Sequence, residues 1–265
     1  TVSADGTDAA ITPTNIVIKK QSAYGTANVD ATTAGNAVLF LQKAKRKIRE
    51  LTYNFDVDGY VAPDLTILND IVTKSGINEM AYQQEPDSIL WCVRDDGVFA
   101  GLTYQRSENV IAWHRHKLGG TFGSGASATG YGVVESVASI SGELTEDELY
   151  VIVKRTINGA TKRYVEVFAP FDFDETNSTD FRFLDSHLTY SGSSTTTLSG
   201  LNHLEGQTVS ILADGSTHAT KVVSSGSVTL DRSVTSAVVG LKYDSVLQTM
   251  RIEGGAAEGT AQGKT

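Results

Sequence analysis

Trp113-His114-Arg115-His116 is the densest chemistry-bearing stretch of this 265-residue chain. On a β-strand, residues two apart share a face, so His114 and His116 could offer two imidazoles to one metal ion. A zinc site needs a third and usually a fourth ligand, and no cysteine pair or second histidine pair supplies them. His187, His203 and His218 are scattered through a later segment. The pattern therefore predicts plain strand alternation, with Trp113 and Arg115 on the opposite face. Asp56-Val57-Asp58-Gly59 opens like a calcium loop, but Tyr60-Val61-Ala62-Pro63 stands where further oxygen ligands are required, so an acidic turn is expected. The carboxylate pairs Glu85 and Asp87, Asp95 and Asp96, and Glu146 and Asp147 each fall in predicted turns, where such groups accept bonds from backbone amides. They would make a glycosidase only by facing a sugar-sized groove. Cys92, the only cysteine, lies in the apolar run ILWCV and reads as a buried thiol rather than a nucleophile. No GxSxG elbow, phosphate-binding loop, HExxH helix or CxxC pair occurs. The sequence thus predicts no catalytic, cofactor-binding or metal-binding residues, and no cofactor.

Charge narrows the partners. The chain carries 22 basic against 31 acidic residues, a formal net charge of −9. Such a surface repels phosphate backbones at long range, so stable nucleic-acid binding is not expected. The exception is KAKRKIR (Lys43 to Arg49), which reads as a solvated loop and strand edge guarded by lysines, or as a contact to an acidic partner or to nucleic acid passing nearby. Tyr82, Trp91, Phe99, Tyr104 and Trp113 cluster in one region and are expected on sheet faces, as core or as a stacking platform for sugars. No apolar run is long enough to span a membrane. The N-terminus lacks a secretory signal pattern and an initiator Met, which reads as a processed chain or a fragment.

The elements that would position these residues are mainly β. From Gly76 to His116 four strand-like runs alternate with turn residues: INEMAYQQ, SILWCVRD, VFAGLTYQ and VIAWHRH. A weaker echo follows: the segment Glu135 to Ser141, then DELYVIVKRT and KRYVEVFAP, with Asn158-Gly159 where the earlier unit has Asp96-Gly97. Repetition of a multi-stranded unit predicts propeller-like antiparallel blades. The expected organisation is N-terminal strands and a helix over residues 1–75, repeated β-blades over 76–170, and an acidic boundary over 171–186. A small β-barrel or sandwich over 187–251 and a flexible tail over 252–265 complete it. Within 1–75, Thr1 to Thr14 reads as a loop, Asn15 to Lys20 as a strand, and Ala37 to Gln42 with Lys47 to Asn54 as a hairpin. Asp64 to Lys74 predicts one short helix: Asp64 can cap it, and Leu65, Leu68, Ile71 and Val72 recur at helical spacing. Five short strands are expected in the small domain, at 195–198, 207–214, 216–224, 227–231 and 236–243, with turns at Asp214-Gly215 and Ser225-Gly226. GGTFGSGASATGYG (Gly119 to Gly132), with six glycines in fourteen residues, reads as a mobile or neighbour-ordered loop.

Three stretches carry a family resemblance: Lys47 to Phe55 continuing through Asp64-Leu65-Thr66, Met80 to Gly120 with its long run QQEPDSILWCVRDDG, and LNHLEGQTVSILADG (Leu201 to Gly215). From about Ala37 to Tyr243 the chain resembles bacteriophage tail proteins, above all the tube-end or nozzle "stabilisation" proteins of short tails. The resemblance implies a virion subunit with a propeller-like platform, set in a ring with copies of itself and other tail proteins around a channel through which DNA passes transiently. It brings no catalytic residues. Those proteins are generally much longer, which reads as a central fragment or a shortened relative. Receptor or carbohydrate binding is the alternative, and a polysaccharide-degrading tail enzyme the next.

Overall fold

A computed structural model describes residues 2–4, 9–20, 22–142, 146–170 and 178–248. The architecture is mainly β, in antiparallel sheets. β1 (Val2–Ala4) pairs with β2 (Ile16–Ile18), so part of the lead-in expected as loop is a strand. The first large sheet is a meander of β3 (Thr32–Ala34), β4 (Ala37–Leu41), β5 (Ile48–Asn54) and β6 (Gly59–Val61). The second runs in chain order through β7 (Ile77–Gln83), β8 (Ile89–Arg94), β9 (Phe99–Gln105) and β10 (Val110–His116). The third is β11 (Val133–Ile140), β12 (Glu148–Ile157) and β13 (Ala160–Val167).

These meanders stack face to face, and strand alternation explains how. On β8, Leu90 and Cys92 pack with Leu39, Leu41 and Ile48 of the first sheet. Trp91 and Val93 point the other way and pack with Val134, Val137, Leu149, Val151 and Val153 of the third. A strand buried on both faces must be apolar throughout, which is why ILWCV does not alternate. On β12 only one face is sealed, and buried and part-exposed residues alternate strictly.

The helix expected at Asp64 to Lys74 does not form. The segment is a chain of four-residue turns, with Asn69 N–H bonded to Thr66 C=O, Val72 to Asn69 and Gly76 to Thr73. A free helix this short is marginal. Here the ends are held instead by Leu65 N–H to Ile48 C=O, Thr73 Oγ1 to Arg46 C=O and Ile77 N–H to Lys45 C=O. Leu65 and Val72 are buried, while Leu68, predicted inward, is 97% exposed.

The remaining sheet has strand order β14 (Asp185–Ser199), β17 (Ser227–Leu241), β15 (Thr208–Ala213), β16 (Ser216–Val222). Four strands stand where five were expected, because 227–231 and 236–243 merge into one long β17. No closed barrel is formed among the described residues. Register shifts along β14 and β17 kink the pair. Both halves of β17, from Val228 to Leu241, thereby reach one core with Leu204, Val209 and Ile211. Asp214-Gly215 and Ser225-Gly226 take positive φ at both residues, as tight hairpin turns of this type require. The tail 252–265 and residues 171–177 of the acidic boundary lie outside the described residues.

Candidate functional site

The histidine pair lies on the seam between the second and third sheets. His114 and His116 do share a face, with Nδ1 of one 2.7 Å from Nε2 of the other, a hydrogen bond between two rings rather than an open chelate. His114 also meets Thr103 Oγ1, and both rings pack against Trp91, which stacks on Phe99 at 4.9 Å and touches Phe168. Burial, and then the neighbouring His114, push His116 down to about 4; burial likewise lowers His114. Both are neutral core groups near neutral pH. Gly101 is required opposite, since a Cβ there would sit 2.1 Å from the His114 ring. Among the described residues no three His, Cys, Asp or Glu side chains converge on a metal-sized point.

Two of the turn carboxylates act as backbone acceptors: Asp147 takes the N–H groups of Gln84 and Glu85, and Asp96 takes that of Val98 together with the Arg94 guanidinium. Asp95 instead takes the side-chain amide Asn78 Nδ2. At the calcium-like turn, Asp58 accepts from Tyr53 Oη and the Asp56 N–H bonds back to Asn54. Burial alone pushes the Cys92 thiol far up, which leaves it inert. KAKRKIR divides in two. Lys43 to Lys47 form an exposed turn, with Lys47 paired to Asp64 and Lys45 bonded to Asn78. Arg49 is buried, bonded to Gln42 and the Ala62 carbonyl, and lies 3.5 Å over the Tyr24 ring.

Two features were not read from the sequence. The first is a polar cleft of about 240 Å³ between the first two sheets. Its walls include Glu50, Thr52, Asn54, Tyr104, Arg106 and Asn109. Arg106 pairs with Glu50 at 3.0 Å and donates to Thr52 Oγ1. The Tyr104 hydroxyl is buried without a hydrogen bond of acceptable geometry. Burial, then the nearby Glu50 charge, raises it to about 12. These partners are 54 residues apart in Arg106 and Thr52, beyond any local spacing signal.

The second is a buried joint. Arg155 on β12 is fully buried; its guanidinium pairs with Glu166 on β13, and its Nε donates to Gly119 C=O at 2.7 Å. Gly119 N–H in turn donates to Asp185, at the start of β14, at 2.6 Å. Burial raises the Asp185 carboxyl, against the opposing pull of that amide and Arg155. Gly119 must be glycine, because a Cβ would lie 2.7 Å from the Lys242 carbonyl. The glycine-rich loop expected to be mobile or neighbour-ordered is therefore fastened within the chain, with Thr156 N–H bonded to Thr121 C=O and Gly123 N–H to Thr156 Oγ1.

No protein-family model matches this chain, and no curated protein matches it at a significant level. No helix among the described residues is long and apolar enough to cross a membrane.

Proposed function

We propose that this chain is a structural subunit of a bacteriophage tail, a platform at the tube end or nozzle that acts through contacts rather than through a reaction. One observation carries the reading: three successive antiparallel meanders stack face to face in chain order, sharing cores on both faces of the middle one. Consecutive propeller blades stack in this way, and three sheets so stacked would not close a ring by themselves. The resemblance of Met80 to Gly120 and Leu201 to Gly215 to tail proteins supports the same assignment. Its partners are other tail proteins and further copies, its place is the virion, and its acidic balance suits a wall past which DNA slides without sticking.

The cleft around Arg106 supports a second reading, in which the chain is a receptor- or carbohydrate-binding tail module. Planar polar side chains beside an exposed Tyr53 suit sugar hydroxyls. Degradation of a polysaccharide is less well served, since Glu50 is the one carboxylate lining the cleft and is already paired with Arg106. Antibody or tag localisation on virions, together with depletion of the protein, tests the first reading. Labelled tails that fail to assemble on depletion are expected; intact, infectious tails lacking the protein reject it. Glycan-array binding that depends on Arg106 would promote the second reading.

A further inference from the structure

The cleft between the first two sheets keeps unused hydrogen-bonding capacity among the residues that line it. Asn54 Oδ1 accepts the N–H groups of Asp56 and Val57, which fixes the amide's orientation and leaves its Nδ2 donors unused. Glu50 is held by Arg106 Nε, and the Tyr104 hydroxyl beside it is not aligned to bond. A carboxylate accepts about four hydrogen bonds, so Glu50 retains acceptor sites. Arg106 directs Nε to Glu50 and Nη1 to Thr52 and Asn36, while Nη2 has no partner among the described residues. Asn109 ends the short turn that follows β9 at φ 55°, and its side chain makes no hydrogen bond among the described residues. Val61, Pro63 and Ile111 complete the lining with apolar surface. Of the aromatics expected to form a stacking platform, Trp91, Phe99 and Tyr104 are buried. The exposed ring at this cleft is Tyr53, held in place by the bond from its hydroxyl to Asp58.

We propose that this cleft binds the terminal pyranose of a glycan, and that the sugar it takes is uncharged. The proposal rests on the carbohydrate-binding reading and gives that ligand a size, a charge and named contacts. At about 240 Å³ the cleft falls below the roughly 300–1,000 Å³ of sites that enclose drug-sized ligands, which suits one sugar ring rather than an extended oligosaccharide. A sugar hydroxyl both donates and accepts. Neighbouring hydroxyls can therefore give to Glu50 and Asn109 Oδ1 while taking from Asn54 Nδ2 and Arg106 Nη2. The C–H face of the ring has Val61, Ile111 and the Tyr53 ring to lie against. Charge then selects among sugars. Glu50 and Arg106 are the only charged side chains among the described residues of the lining, and they neutralise each other. The adjoining turns add Asp56, Asp58 and Glu108, in a chain of net charge −9. A uronic or sialic acid would bring a second anion beside the largely buried Glu50, with one guanidinium to serve both. A neutral ring meets no such conflict.

Two variants remove ligand contacts while sparing the fold. Asn109→Gly deletes an amide that bonds nothing among the described residues and keeps a residue at ease with positive φ. Asn54→Asp keeps an acceptor for the Asp56 and Val57 amides and replaces the two donors with an oxygen. Both should match the parent in circular dichroism and thermal midpoint. On a glycan array, the parent should favour chains ending in neutral hexoses or N-acetylhexosamines over those ending in uronic or sialic acids. With the methyl glycoside of the best neutral sugar, titration followed by NMR should show binding about tenfold weaker in each variant, the scale of one well-placed hydrogen bond. Neutral-sugar binding that either variant leaves unchanged, or a preference for acidic glycans, would overturn this site and leave the carbohydrate-binding reading standing. No binding to any glycan on the array would remove both, and leave the structural tail assignment to the localisation experiment.

Discussion

At the scale of single residues, Trp91 carries the most packing. It is buried among Phe99, Phe168 and the two histidines, and its Nε1–H donates to Gln83 Oε1 at 2.8 Å. Trp91→Ala should cost about 3–5 kcal/mol, read as a drop in urea midpoint. A change below about 0.5 kcal/mol would mean the site is not core. His116 supplies a pH test. Its folded value near 4 lies below the unfolded value of about 6.5, so between these pH values the unfolded chain binds the proton and the native one does not. The stabilisation is present above about pH 6.5 and fades as pH falls toward 4, a loss on the order of 3 kcal/mol. His116→Gln should flatten that part of the pH profile relative to the parent. The face of the histidine pair was legible, since period-two alternation is local. The Arg106–Glu50 pair and the link from Arg155 through Gly119 to Asp185 were not, because partners brought together by sheet stacking leave no mark in nearby sequence.

At the scale of elements, the strands from Ile77 to His116 were legible because turns and alternation are local signals, and the Asn158-Gly159 turn forms with positive φ at both residues. The segment from Asp64 to Lys74 was misread for an equally definite reason. Apolar spacing there fits a helix, yet three tethers to the start of β5 and its preceding turn draw the backbone across the foot of the first seam. Asp64 still does what a capping residue does, accepting Thr66 N–H and Thr66 Oγ1–H, but it closes a turn. The two readings separate by mutation. Leu68→Ser should change stability by less than about 0.5 kcal/mol, since an exposed site has little to lose. Leu65→Ala should cost roughly 2–4 kcal/mol, since Leu65 is part of the core shared with Leu39 and Ile77. A helix packed through Leu65, Leu68 and Val72 would make both variants costly. Circular dichroism should likewise show no α-helical minimum attributable to this stretch.

At the scale of the whole molecule, the stack and the β14–β17 sheet each have their own core, so what makes them behave as one body is the contact between them. Much of that contact passes through a few polar links. Arg155 holds Glu166 and the Gly119 carbonyl, Gly119 holds Asp185, and Gln207 Nε2 reaches the Thr156 carbonyl. The composition change near His187 signals a different sheet but says nothing of a joint, because the arginine that anchors it sits in an otherwise ordinary strand pattern. Arg155→Met keeps most of the volume and removes the cation. Glu166 and Asp185 are then left poorly solvated without their counter-charge, at a cost of about 3–5 kcal/mol. The sign of the pH dependence follows. Without Arg155 the Asp185 carboxyl is raised further above its unfolded value near 3.8, so stability present at low pH is lost as pH rises through the unfolded and then the folded value. The penalty of Arg155→Met should therefore be larger at pH 7 than at pH 4.5. Adding Asp185→Asn should recover part of it at pH 7, because a neutral amide can still accept the Gly119 N–H without needing the cation. Calorimetry completes the argument. The parent should unfold in one coupled transition and the arginine variant in two, the stack and the β14–β17 sheet separating. A single transition shifted uniformly in Arg155→Met, with no pH dependence and no rescue by Asp185→Asn, would show that packing such as that of the Tyr164 ring against His203, rather than the buried charge, binds the two parts.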